Sequence, residues 1–474
     1  MDKTKFNRTK IVATIGPATS NLETIISLIN AGADVFRLNT SHGSTQEHED
    51  SIRNIRKAAL ETNQHIAIIL DLQGPKLRVG ILDHPITLVD NTIYSFAFGE
   101  QSALQEVIPI DADIFNDLTI GEKILINDGR LELEITETSS TQFKAKVIVG
   151  GELTSRKGIN VPSATLSIPC LTEKDIEFMK FGIEQNVDYI ALSFVRNKED
   201  IRKAKQILES HNATIPLIAK IEKPQAVDNI DQILQEADGI MVARGDLGVE
   251  MGPENVPLTQ KMLINKANLA NKPVIVATQM LESMVYDPIP TRAEANDVAN
   301  AILDGTDAIM LSDETTIGKF PLRAVEMMNK IAQVVENNPL YNNIYNSFLE
   351  EKYCSDNRFS DIKINRLFNE IDIQAIVAFT ESGQTALTLS KSRVMPPIIA
   401  FCNNAQVCNR LNLVWGVIPI LYKGRLSIQN DDMTEVCESL LSQTFLTPGA
   451  KVMYISGLPY FSLGKTTSFK YYIL

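Results

Sequence analysis

No segment of the chain approaches the roughly eighteen consecutive apolar residues of a membrane-spanning helix. The first residues, MDKTKFNRTKIVATIG, lack the apolar stretch of a secretory leader. A cytoplasmic protein with no membrane partner is therefore expected. Cysteine is scarce and scattered, at Cys170, Cys354, Cys402, Cys408 and Cys437, with no CxxC pair. That pattern argues against a zinc ribbon or a disulfide framework and suits a reducing compartment. Positive charge is in deficit: 45 Lys and Arg against 58 Asp and Glu leave a formal net charge of -13. Such a chain repels nucleic acid and anionic lipid, so neither is an expected partner. A few local cations can still capture a small phosphorylated molecule. Histidine is rare, five in 474 residues, and none stands in an evident pair with a nucleophile. Neither GxxxxGKS/T nor a glycine-rich nucleotide loop occurs.

What is present is a rhythm. Short runs rich in Val, Ile, Leu and Ala recur at Ile11–Ile15, Asp34–Asn39, His65–Asp71, Tyr189–Ser193, Pro216–Ile221, Gly239–Ala243, Pro273–Ala277 and Ala308–Leu311. Most are near-continuous apolar stretches, as expected of parallel strands buried on both faces. Amphipathic segments such as Asp200–Glu209 and Glu294–Leu303 lie between them. Eight β-then-α units predict an α/β fold of the (β/α)8 TIM-barrel type, with a doubly wound open sheet as the alternative on pattern alone.

The third and fourth runs are more than a hundred residues apart. The intervening stretch alternates polar and apolar residues, as in ITLVDNTIYSFAF, KILIND and RLELEITE, with a turn signal at Asn127-Asp128-Gly129. It reads as a small all-β lid domain, 76–160, inserted into a barrel formed by 1–75 and 161–337. An insertion after the third strand lies at the C-terminal face of a barrel, where active sites sit. Residues 338–371 read as a connector. A third α/β unit, 372–474, follows, with strand-like runs AIVAFT, PPIIAFC, VIPIL and KVMYIS.

Polar residues gather where the barrel strands end. The second run ends in Arg37, Asn39, Thr40, Ser41 and His42, and the third in Asp71, Leu72, Gln73, Gly74, Pro75, Lys76 and Arg78. The fifth ends in Lys220 and Glu222, the sixth in Arg244-Gly245-Asp246, the seventh in Thr278, and the eighth in Ser312. Any one of these could be a turn residue or a surface ion pair. Six strand ends facing one another are harder to explain that way. Lys220 and Glu222 are two apart and point to the same side of a strand. Glu222 and Asp246 could converge from neighbouring strands, and two carboxylates are a common protein contribution to a Mg²⁺ site. Arg37 and Arg78 suit forked recognition of phosphate. His42 could contact a nucleotide or cap a turn. The chemistry suggested is direct phosphoryl transfer, which needs positioning and charge neutralisation more than a nucleophilic side chain.

The same residues carry a family resemblance. RTKIVATIGPAT, RLNTSHG, DLQGPKLRVG, SRKGIN, LTEKD, AKIEKPQAV, GIMVARGDLGVE, ATQMLESM, PTRAEANDVANAILDGTDAIMLS and ETTIGKFP resemble pyruvate kinase, most closely from Thr9 to Glu326 and more loosely to the C-terminus. The resemblance implies transfer of the phosphoryl group of phosphoenolpyruvate to ADP, giving pyruvate and ATP, the final step of glycolysis. It implies Mg²⁺, or Mn²⁺ in its place, and a homotetramer. Lys220 would neutralise charge on the transferring group, Glu222 and Asp246 would hold the metal, and Arg37 would contact the phosphate. Gly245, Asp246 and Thr278 would receive the substrate carboxylate, with Thr278 and Ser312 near the site of enolate protonation. Asn39, His42, Arg78 and Lys157 would meet the nucleotide.

In the family a K⁺ site matches Asn39, Ser41, Asp71 and the carbonyl of Leu72. Here Lys76 stands where K⁺-dependent members carry glutamate, a bacterial-type signature in which the lysine is expected to fill that site and K⁺ is not required. Thr380, Ser382, Gly383, Gln384 and Thr385, between a strand and a helix, match the family's effector site, and hydroxyls at a helix N-terminus suit the phosphate of a sugar phosphate or AMP. Three positions depart from the family pattern. Asp313 and Thr316 replace a glycine and an alanine, and Thr40 stands where an aromatic is usual. A barrel lyase acting on an enolate would share the carboxylate pair but has no need of Arg78, Lys157 or a lid. A non-catalytic paralogue would be expected to lose Lys220, Glu222 or Asp246, and all three are present.

Overall fold

A short segment with apolar side chains on both faces can bury them only between like neighbours and an outer layer. The eight runs do this by closing on themselves. In the computed structural model, which describes residues 6–99, 107–162, 164, 166–341, 373–422, 434–456 and 468–474, strands Lys10–Thr14, Val35–Asn39, Ala67–Asp71, Tyr189–Leu192, Leu217–Ile221, Gly239–Ala243, Val274–Ala277 and Ala308–Leu311 form a closed parallel barrel in chain order. The first strand pairs with the eighth, Lys10 opposite Ala308 and Ala13 opposite Leu311.

Several strands start later than expected, for a physical reason. Asp34 uses its carboxylate to accept from Ile11 N at 2.9 Å, outside the ladder. Pro216 and Pro273 have no N–H and serve only as acceptors, from Ile190 and Ile240. Outer helices are stitched on by capping boxes, Ser44 with Glu47, Thr172 with Asp175 and Thr291 with Glu294. Helix Lys198–Ser210 buries Ile201, Ala204 and Leu208, and helix Arg292–Leu303 buries Val298, Ala301 and Ile302.

The inserted stretch is a six-stranded sheet with its own core. Its strand order is Ile159–Asn160, Lys123–Ile126, Leu131–Thr138, Gln142–Val149, Ile93–Phe98 and Val107–Ile110, and Ile86–Leu88 pairs with Gly151–Leu153 beside it. Leu131, Leu133 and Ile135 alternate inward against Phe143, Ala145 and Val147. Asn127, Asp128 and Gly129 all take positive φ, as the turn signal requires.

The C-terminal sheet runs Val417–Leu421, Ile398–Cys402, Ala375–Thr380, Lys451–Ser456 and Ser468–Ile473. The last strand is antiparallel and was not expected from the sequence. This unit plugs the bottom of the barrel. Leu413 joins the barrel's interior cluster. Buried Asp307, at the entry to the eighth strand, pairs with Lys391 and, at 3.2 Å, with Arg393. The expected connector lies, beyond residue 341, outside the described residues. Among the described residues no helix is long and apolar enough to cross a membrane.

Candidate active site

Alternation along each strand sends every second side chain into the barrel. In the lower layers these are Val12, Val35, Ile69, Ala191, Ile218 and Met310, which form one apolar cluster. Two residues further along the same strands stand Thr14, Arg37, Asp71, Ser193, Lys220 and Ser312. The upper interior is therefore polar because the inward parity changes character, not because the strands turn.

These side chains form one continuous network. Lys220 Nζ lies 3.2 Å from Asp71 Oδ1, 2.9 Å from Glu222 Oε1 and 2.6 Å from Ser193 Oγ. Arg37 Nε lies 2.6 Å from Asp71 Oδ2, and its Nη1 donates to Thr14 Oγ1 at 3.2 Å. Glu222 Oε2 accepts from the backbone of Phe194 at 2.7 Å. Two cations alternate with two carboxylates, and exposures of 8% for Arg37, 1% for Asp71, 9% for Lys220 and 1% for Glu222 put the whole set out of bulk water. Burial on this scale costs several kcal/mol per ion before pairing is counted. The cluster is better read as a preorganised field than as a stabilising device.

The charges follow from the packing. Burial disfavours the Lys220 ammonium, but Asp71 and then Glu222 outweigh it, so its pKa rises and the cation is locked. Burial raises Asp71, and Lys220 and Arg37 outweigh it in the other direction, so Asp71 stays ionised below the usual range. Glu222 is pushed up, first by burial and then by the Asp246 charge, with Lys220 offsetting only part. A second positive charge between Glu222 and Asp246 would relieve that repulsion.

Asp246 stands in the first turn of helix Arg244–Met251, directly after the sixth strand, and is half-buried. Gly245 N donates to Thr278 Oγ1 at 2.8 Å, which joins the two expected carboxylate-binding positions. Thr278 and Gln279 take φ of 72° and 56°. A β-branched residue there stores strain of order 1–3 kcal/mol, which packing must hold. Arg244 holds it, donating to Thr278 O at 2.7 Å and pairing with Asp297 at 2.7 Å. Ser312 donates from its backbone to Glu314 at 2.7 Å. Its hydroxyl oxygen is buried with no hydrogen-bond partner among the described residues.

The expected nucleotide residues fall on two elements. Arg78 and Gly158 form an isolated antiparallel bridge, which sets Arg78 beside Lys157 at the root of the inserted sheet. Asn39 ends the second strand and His42 lies on the loop after it; Asn39 Oδ1 accepts from Ser41 N at 3.1 Å and the His42 side chain is exposed.

Lys76 departs from expectation. Its one ion pair among the described residues is with Asp246, at 3.5 Å. Three of the four expected cation ligands carry other contacts: Asn39 Oδ1 accepts from Ser41 N, Asp71 pairs with Arg37 and Lys220, and Leu72 O accepts from Ser193 Oγ at 2.7 Å. Lys76 therefore extends to a proposed metal carboxylate, because its stem runs over Gly158 toward the sixth strand.

Of the departures from the family pattern, Thr40 and Asp313 are accommodated. Thr40 is buried, and both its N–H and its hydroxyl donate to Asp71 O at 3.0 Å. Asp313 opens a short helix at negative φ, so a glycine's freedom is not needed there. In the C-terminal unit, Gly383 N donates to Thr380 Oγ1 at 2.9 Å at the start of helix Gln384–Lys391, with Ser382 and Gln384 exposed and Thr385 half-buried.

Sequence reasoning missed Thr14, Ser193 and the clamping role of Arg244. The first two were within reach: each continues the inward parity of its strand. In the sequence Arg244 is only one residue of a strand end, and nothing there links it to the carbonyl of Thr278.

Comparison with known proteins agrees with this architecture. The family model described as "Pyruvate kinase, barrel domain" matches residues 6–325, and that described as "Pyruvate kinase, alpha/beta domain" matches 363–470. "Pyruvate kinase 2" of Synechocystis sp. is 46% identical over 420 residues, 87% of this chain and 70% of its own length. The pyruvate kinase of Geobacillus stearothermophilus is 41% identical over 475 residues, 98% of this chain and 80% of its own. That of Agrobacterium vitis is 40% identical over 466 residues, covering 98% and 96%.

Proposed function

The chain belongs to the pyruvate kinase family, and from that premise we propose how its own residues carry the phosphoryl group of phosphoenolpyruvate to ADP. The observation that carries the reading is the buried Arg37–Asp71–Lys220–Glu222 network beside Asp246. It presents fixed positive charge where a phosphoryl group loses its bond to the enolate oxygen. In a water-poor site such charge needs no reorganisation during the reaction.

Glu222 and Asp246 fit a divalent cation. The Glu222 carboxylate is buried, repelled by Asp246 and only partly compensated by Lys220, and oxygen donors of this kind suit Mg²⁺ or Mn²⁺. When bound, the metal would supply Lewis-acid neutralisation of the phosphate and enolate oxygens. Arg37 forks to the phosphate while Asp71 fixes its plane. Lys220, held protonated, faces the charge that develops on the transferring group. Gly245, Asp246 and Thr278 receive the substrate carboxylate. The Ser312 hydroxyl, buried with no hydrogen-bond partner among the described residues, and Thr278 position the water that returns a proton to the enolate.

Asn39, His42, Arg78 and Lys157 bind the nucleotide, and the inserted domain, 76–160, closes over it as a lid that excludes water. K⁺ is not required, because Lys76 already supplies a monovalent cation near the metal carboxylates. The C-terminal unit, 372–474, takes a sugar phosphate or AMP at Thr380, Ser382, Gly383, Gln384 and Thr385. The protein works in the cytoplasm as a homotetramer.

The test is a coupled assay for pyruvate formed from phosphoenolpyruvate and ADP, with and without Mg²⁺ or Mn²⁺. Activity that survives chelation of all divalent metal would refute the metal assignment, and absence of pyruvate under all conditions would refute the catalytic one. Sugar phosphates and AMP added to the same assay, with light scattering for the assembly, check the effector and oligomer readings.

A further inference from the structure

The carboxylate of Glu250 joins three segments that the reaction must bring together, and none of the roles above uses it. It is 3% exposed and lies in helix Arg244–Met251, one turn beyond Asp246 on the same face. Its Oε1 accepts from Lys223 Nζ at 2.6 Å and from Asn160 Nδ2 at 2.7 Å. Lys223 is the residue after Glu222. Asn160 ends strand Ile159–Asn160, by which the inserted sheet returns to the barrel. Oε2 is buried and has no hydrogen-bond partner among the described residues.

Two further contacts run the same way. The Lys223 ammonium lies over the Phe194 ring, 5.9 Å from its centre, and Phe194 N holds the second oxygen of Glu222. At the hairpin tip of the inserted sheet, a Cβ on Gly129 would lie 4.0 Å from Val249 Cγ1, beside Glu250. A buried Lys–Glu pair is a poor choice for stability alone, since apolar residues of the same volume often hold a core at least as well. A directional acceptor shared by two donors instead transmits displacement, because neither donor can move without drawing the carboxylate.

We propose that Glu250 is a positioning residue that couples the placement of the inserted lid to the two divalent-cation carboxylates. The inference rests on the lid and metal assignments made above. Movement of the lid root carries Asn160. Glu250 follows, and with it the helix that bears Asp246. Lys223 passes the same displacement to Glu222. Coupling between two sites is reciprocal, so a cation bound at Glu222 and Asp246 restrains the lid.

The experiment follows amide hydrogen exchange of residues 123–160 with and without Mg²⁺, in the absence of substrates. The full chain is compared with Asn160→Ala, Glu250→Gln and the double variant. Mg²⁺ half-saturation of activity and the melting temperature are recorded alongside. In the unmodified protein Mg²⁺ slows exchange at the lid root. In Asn160→Ala that response is lost, and Mg²⁺ half-saturation rises at least about fivefold. The double variant adds nothing to the larger single effect, as expected of groups that act as one unit. Equal slowing by Mg²⁺ in all four proteins, or half-saturation within about twofold throughout, would overturn the coupling while leaving the metal site intact. An unmodified lid indifferent to Mg²⁺ would overturn the coupling directly, and Mg²⁺-independent activity besides would refute the metal site as well. Should Glu250→Gln fold poorly, Asn160→Ala decides alone, since it leaves every charge in place.

Discussion

Arg244 donates to the main-chain carbonyl of Thr278 at 2.7 Å, and Thr278 is a β-branched residue held at a φ of 72°. The guanidinium also reaches Asp297 at 2.7 Å, so helix Arg292–Leu303 braces the turn through a single side chain. Arg244 touches no reacting atom in the proposed mechanism and acts through Thr278. Arg244→Met should let the turn relax and cost about 10²-fold in kcat, the scale of a misplacement of about 1 Å. Arg244→Lys should recover only part of this, because Arg244 reaches the Thr278 carbonyl and Asp297 through two different guanidinium nitrogens, and a shorter, single ammonium lacks that planar span. Steady-state kinetics with a melting curve check it. Full kcat in Arg244→Met would show that the strain is held elsewhere.

Lys220 is the hub of the buried network, touching Asp71, Glu222 and Ser193. Lys220→Met should reduce kcat by at least about 10²–10³-fold while the barrel still folds. A second effect follows from the sign of the Glu222 shift. That carboxyl already sits above its ordinary value because of burial and Asp246, and Lys220 is what restrains it. Without the lysine, Glu222 takes up a proton at higher pH, and protons compete with metal over a wider range. Mn²⁺ binding followed by paramagnetic relaxation should therefore fade at a higher pH in the variant as pH is lowered. Half of the normal kcat, or superimposable Mn²⁺ titrations, would count against the assignment.

Much of this was legible in the sequence because two periodicities carry it. Eight apolar runs with helical stretches between them specify a barrel, and the polar residues that end those runs specify the face where chemistry happens. Lys220 and Glu222 could be placed together because a strand repeats every two residues. The same rule extended one step would have found Thr14 and Ser193. Other features depend on distances that no local pattern encodes. Arg244 clamps a carbonyl 34 positions away, Asn160 meets Glu250 across the join between two sheets, and Lys76 turns to Asp246. The strand Ser468–Ile473 was missed because its alternation, SFKY, lasts only four residues, and it is an edge strand that pairs with Lys451–Ser456 alone among the described residues.

His48 offers a pH prediction with a definite sign. Its ring is buried, meets Phe178 edge-on with centroids 5.6 Å apart, and places Nε2 2.9 Å from the carbonyl of His42. Burial pulls its pKa below the ordinary 6.5, with the hydrogen bond to His42 opposing. Below pH 6.5 the unfolded chain gains a proton that the folded chain does not, so stability is lost as pH falls from that value toward the folded pKa. Melting temperatures measured between about pH 7.5 and 5.5 should fall more steeply for the unmodified chain than for His48→Gln, whose amide can still reach the His42 carbonyl. Parallel curves would show that His48 does not contribute.

The last prediction concerns the monovalent cation. Lys76 holds its ammonium 3.5 Å from Asp246, and three of the four groups that would ligate K⁺ already carry contacts, Asn39 from Ser41 N, Asp71 from Arg37 and Lys220, and Leu72 O from Ser193. A K⁺ bound at Asp71 would join two cations already paired with that carboxylate, Arg37 and Lys220, and like charges in a partly desolvated site repel. Lys76 stands beside the metal carboxylate rather than among the expected ligands, so the expectation rests on its fixed charge serving the metal site directly. Activity at saturating Mg²⁺ should be the same whether the salt is K⁺ or tetramethylammonium at equal ionic strength. Activation by K⁺ of tenfold or more would contradict this. Lys76→Glu supplies the converse, since it reverses the charge beside Asp246. It should lower activity in tetramethylammonium and let K⁺ restore part of it, because the carboxylate both removes the resident cation and offers a ligand to a mobile one.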